Sequence, residues 1–98
     1  MPKRSPRKQS EHNSKVRNIA RKLKREGWHV QADISGFDKP DPIGNKNMIP
    51  DITAQKRGAK KIIEVETPET MEKDKKQHET FKRSAGQQKR TKFEIEEA

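Results

Sequence analysis

The stretch "IPDITAQKRGAKKIIEVET", residues 49–67, constrains this chain more than any other. Only 26% of the 98 residues are hydrophobic and 40% are charged, so any folded core is small and drawn from a few segments. This segment is the most hydrophobic of them. It reads as two strands, "PDITAQ" and "KKIIEVE", joined by a turn at Lys56, Arg57, Gly58 and Ala59. It also carries three acids. Asp51 opens the first strand, and Glu64 and Glu66 alternate in the second. Residues two apart on a strand share a face, so the two glutamates project together, opposite Ile63 and Val65. Two explanations stand side by side. The acids are the solvated side of a strand, or they line a cleft that holds something positive.

The remaining elements follow from periodicity and punctuation. "MPKRSPRKQS" has no apolar residue after Met1 and reads as a flexible basic arm over residues 1–9. In "EHNSKVRNIARKLKREG", His12, Val16, Ile19, Ala20 and Leu23 recur at helical spacing. Ser10 suits the N-cap, Glu11 the first turn and Gly27 the stop. "WHVQADI" alternates as a strand, with Trp28, Val30, Ala32 and Ile34 on one side. "SGFDKPDPIGNKNM" is rich in glycine, proline, aspartate and asparagine and makes a long loop. After the hairpin, Thr67 caps a helix with Pro68 in its first position, running from Glu69 to about Ala85 and ended by Gly86. Its sparse apolar face is Met71, His78, Phe81 and Ala85. "TKFEIEE" is a short fourth strand. The order helix, three strands, helix, strand indicates a single domain over residues 10–98, of α+β or α/β class, with helices covering a sheet.

The net charge of +9 points to nucleic acid as the partner. Lys15, Arg17, Arg21, Lys22, Lys24 and Arg25 form the outer surface of the first helix, placed to meet backbone phosphates. With no cysteine, disulfides and thiolate metal sites are excluded, and a reducing, cytoplasmic location is compatible. No apolar run approaches membrane-spanning length, so a membrane is not an expected partner. So small a core is also compatible with a homodimer.

If the two hairpin strands are neighbours, Asp51 comes near Glu64 or Glu66. Gathered carboxylates stay ionised only with a cation among them, and magnesium prefers oxygen ligands of this kind. Pro50-Asp51 and, one hairpin later, Glu64-Val65-Glu66 resemble the motif of the PD-(D/E)XK nuclease superfamily. That superfamily includes type II restriction enzymes, Holliday junction resolvases and RecB-like nuclease domains. The element order is similar too, and the resemblance covers roughly residues 10–97. Glu11 stands where the family often draws an acid from its first helix. Gln77 and Phe81 match a glutamine followed four residues later by an aromatic, which some branches carry. Exposed helix surface is the plain alternative for Gln77.

The resemblance implies a restriction endonuclease-like core, a mixed four-stranded sheet flanked by two helices. It implies magnesium or manganese held by Asp51, Glu64 and the carbonyl of Val65, with Glu11 as a further ligand, and hydrolysis of phosphodiester bonds in DNA. The chain departs from the pattern at Glu66, where lysine is usual. Glu66 then ligates a second metal or serves as the base, and Lys73 or Lys76 supplies a displaced positive charge. The alternative is a catalytically silent nucleic-acid-binding module of the same fold. His12 and His78 read as partly buried core residues and Trp28 as core packing. Asp33 is worth watching, because its strand should lie beside the hairpin.

Overall fold

The computed structural model describes residues 6–44, 47–66, 75–87 and 90–97. In chain order these give α1 (Pro6–Arg25), β1 (His29–Ala32), β2 (Ile52–Lys56), β3 (Ala59–Glu66), α2 (Lys75–Gln87) and β4 (Thr91–Glu97). The strands form one four-stranded sheet in the order β1-β2-β3-β4. The first two pairings are antiparallel and the last, β3 with β4, is parallel. The sheet is therefore mixed and the fold is α+β, in the helix–strand order expected.

Local chemistry explains the element ends. Gly27 takes φ +93°. Around it, Trp28 N–H bonds Leu23 O at 3.0 Å and Gly27 N–H bonds Lys24 O at 3.1 Å, the paired bonds of a Schellman ending. The β2–β3 hairpin turns on Arg57 and Gly58, at φ +48° and +83°. Two positive φ values in a two-residue loop give the I′ turn, whose twist suits the flanking strands.

Two boundaries differ from expectation. α1 starts at Pro6, so residues 6–9 of the expected arm are helical and Ser10 is inside the helix rather than capping it. Proline is well suited to a first helical turn, since its fixed φ is already helical and its missing N–H would have no partner there. α2 runs through Gly86 to Gln87, because a glycine weakens a helix without being obliged to end it. The expected cap at Thr67 and Pro68, and Met71, lie outside the described residues.

The core has two layers, one on each side of the sheet. Val16, Ala20 and Leu23 of α1 pack on Ala32, Ile52, Ala54, Ile63 and Val65. Phe81 and Ala85 of α2 pack on Ile62 and Ile43, with Met48 and Phe93 at the margin. β3 is thus covered on both faces. Part of the long loop also belongs to the core. Ile43 pairs with Met48 in an isolated bridge, and a Cβ on Gly44 would lie 2.7 Å from Thr80 Cγ2 of α2. Trp28 is half-buried against the α1 layer, with the amines of Lys61 and Lys56 5.1 and 5.8 Å from its ring centre. No helix among the described residues is long and apolar enough to cross a membrane.

Candidate active site

The covering of β3 removes one of the two explanations for the acids, the solvated strand face, for Glu64 and Glu66. Glu64 and Glu66 project on the same face as Ile62, beneath α2, and they are 2% and 1% exposed. Alternation left a wet face open, but from Ile62 to Glu66 both faces of this strand are covered. Burying two carboxylates under one helix is costly unless each is partnered.

Each acid has partners. The β2–β3 register sets Ile52 opposite Ile63, which brings Asp51, one residue earlier, alongside Glu64. Their carboxyl groups are in hydrogen-bond contact. Asp51 Oδ2 also accepts from the Val65 amide at 2.8 Å and lies 3.2 Å from His12 Nε2. From α2, Gln77 Nε2 donates to Glu64 Oε1 at 3.3 Å, and His78 Nε2 lies 3.0 Å from Glu66 Oε1. Behind His12, Nδ1 lies 3.2 Å from Asn13 Oδ1, which accepts from Gln9 Nε2 at 2.9 Å. Both helices therefore hold the acids: α1 through His12 and α2 through Gln77 and His78.

The electrostatics split the Asp51–Glu64 pair. Burial pushes Asp51 upward, but the His12 ring, the hydrogen bond from Glu64 and the Val65 amide outweigh it and hold the carboxyl below its ordinary 3.8. Glu64 is pushed up to about 10, by burial first, then by the neighbouring charge and hydrogen bond of Asp51 and by the charge of Glu66. Gln77 opposes this only in part. The metal-free pair is therefore one ionised acid and one protonated acid sharing a hydrogen bond.

The other expected site residues are distributed unevenly. Glu11 is exposed, and it is the next residue, buried His12, that reaches Asp51 from α1. Gln77 is half-buried on Glu64 rather than lying on open helix surface. Asp33 meets Asp51 through the backbone alone in the bonds described, its N–H donating to Asp51 O at 2.9 Å, while its side chain is exposed. Arg21, Lys22, Lys24 and Arg25 are exposed, and Lys15 and Arg17 half-buried. Arg25 stands 13 residues beyond His12 on one helix, about 20 Å along the axis at ~1.5 Å per residue. Lys73 and the side chain of Lys76 lie outside the described residues.

His12 and His78 are buried as expected, at 5% and 8% exposure, but each also touches a site acid. The sequence signal for that role is faint: one histidine on the inner stripe of each helix, 39 residues from Asp51 in one case and 12 from Glu66 in the other.

Among the described residues, no group of three or more His, Asp or Glu side chains is arranged to hold a metal ion. A cation at Asp51 and Glu64 would rest on two carboxylates, with main-chain oxygen and water completing its shell. That is the usual habit of magnesium. The donor set fits such a cation in chemical type, all hard oxygen. No protein-family model and no curated protein matches the chain.

Proposed function

We propose that this protein is a magnesium- or manganese-dependent nuclease of the PD-(D/E)XK type, hydrolysing phosphodiester bonds in DNA, with a restriction endonuclease-like core. The observation that carries the reading is the Asp51–Glu64 pair. A half-buried acid against a fully buried one whose proton is held by burial and by neighbouring charge is poorly explained as structural support, because an apolar pair would fill the same space at lower cost. A divalent cation at such a pair supplies Lewis-acid charge at a phosphate oxygen and acidifies water.

The chain's own residues have definable tasks. Asp51, ionised and fixed by His12 and the Val65 amide, would be one anionic ligand of a bound cation. Glu64, oriented by Gln77, would be the second once its proton passed to solvent, with the Val65 carbonyl as a further oxygen. Glu66, anchored by His78, accepts the proton of the attacking water. The exposed cations of α1 hold backbone phosphates away from the scissile bond.

A second reading, a silent DNA-binding module, is favoured by one observation: Glu66 stands in the usual lysine position and is engaged with His78. Plasmid nicking in magnesium or manganese separates the two. The nuclease reading expects nicking by the wild type and at least a 100-fold loss in Asp51→Ala. Salt-sensitive DNA binding without nicking in either metal selects the silent module and removes the nuclease.

A further inference from the structure

The end of the sheet remote from the acids carries a cluster that the site does not use. We propose that Arg57, Lys60 and Arg90 form a second anchor for the DNA backbone, on a surface separate from the outer face of α1. The inference deepens the nucleic-acid reading above and rests on it.

Three observations converge there. Arg57 is at the tip of the β2–β3 hairpin, Lys60 is one residue into β3 from Ala59, and Arg90 immediately precedes β4. They are held together by backbone: Lys60 N–H donates to Arg90 O at 2.8 Å, and Arg90 Nη1 donates to Arg57 O at 3.0 Å. The three backbones and the Arg90 guanidinium are therefore fixed in place, while Arg57 and Arg90 remain exposed. No carboxylate among the described residues pairs with any of the three. The shallow hollow beside them is lined by Lys56, Arg57, Gly58 and Lys60, with no acid. Like charges gathered without a counterion repel, and a polyanion relieves that repulsion.

Arg57 and Arg90 also adopt left-handed backbone, at φ +48° and +56°. Asparagine or glycine fits such positions with less strain. Arginine there is a local cost in stability, of the kind that accumulates where a side chain is wanted for binding. Lys60 and Glu66 are six residues apart on one strand, about 20 Å at ~3.3 Å per residue. That span matches about six base steps of duplex at ~3.4 Å each, so the anchor lies well beyond the phosphates next to the reacting bond.

The test is anisotropy of a fluorescein-labelled 20-base-pair DNA duplex, titrated in EDTA over a salt series. The chains compared are wild type, the triple variant Arg57→Gln/Lys60→Gln/Arg90→Gln, the single variant Lys60→Gln, and Lys82→Gln/Arg83→Gln on exposed α2 as control. Circular dichroism checks folding, and Lys60→Gln keeps the test valid if the triple variant unfolds. Each lost phosphate contact should lower the slope of log K against log salt by about 0.9. We expect a drop of 2 to 3 in the triple variant, about 1 in Lys60→Gln and none in the control. An unchanged slope in a folded variant, or no DNA binding by the wild type, overturns the anchor. Because EDTA removes divalent metal, loss of the nuclease reading leaves this measurement intact, and a nicking protein with an unchanged slope refutes the anchor alone.

Discussion

The two ends of β3 carry opposite charges in opposite environments. At its start, Lys60 and Lys61 are half-buried, with their flanks open to water. At its end, Glu64 and Glu66 are almost wholly buried beneath α2. The lysines keep their hydration because a long flexible stem carries the charge outward. The glutamates have no such escape and depend on named partners: Asp51 and Gln77 for one, His78 for the other. One strand therefore has a tolerant end and an intolerant end, and the intolerant end is the candidate site.

The largest expected effect is at Glu64. Glu64→Gln removes an anionic ligand and should reduce nicking at least 100-fold. In the metal-free protein the same change should stabilise. With its folded value near 10 against an ordinary 4.5, Glu64 binds its proton more tightly in the folded chain than in the unfolded one. That contribution is complete below the ordinary value and is lost as pH rises toward the folded one. Wild type should therefore lose stability between pH 5 and pH 9 relative to Glu64→Gln. Chemical denaturation of both in EDTA at the two pH values measures it, and parallel curves would refute the split pair. Asp51 acts in the opposite direction: its lowered value contributes stability that is lost as pH falls through the acid range.

The next effect compares the two ends directly. His78→Leu leaves Glu66 without its imidazole and should cost about 3 kcal/mol, whereas Lys60→Gln should stay within about 0.5 kcal/mol. Equal costs in urea denaturation would mean that burial does not distinguish the ends. The smallest effect is a gain. Arg57→Asn suits the left-handed turn position and should stabilise by about 0.5 kcal/mol while weakening DNA binding. A variant that is more stable and binds DNA as well as wild type would leave the arginine unexplained.

The element order was legible because it is local. Gly27 and Gly58 mark their turns, and the alternation of "TKFEIEE" matches β4 residue for residue. The start of α1 was not, because residues 6–9 are polar and carry no apolar period. The burial of Glu64 and Glu66 was hidden for a different reason. Whether β3 is an edge or an inner strand depends on β4, which begins 25 residues after Glu66 ends it. Alternation within "KKIIEVE" reports which residues share a face and says nothing about what covers that face. The contact between His12 and Asp51 is likewise a product of register and helix placement, which spacing along the chain does not encode.

The parallel pairing of β3 with β4 has a consequence for how the molecule assembles. β1, β2 and β3 are joined by antiparallel pairings, while β4 reaches β3 only after the chain has returned along α2. Until that return, Glu64 and Glu66 are wet and ionised like any surface acids. The N-terminal part of the sheet can therefore form without the electrostatic penalty of its buried acids. That penalty arrives with the docking of α2, whose Gln77 and His78 close over the two glutamates.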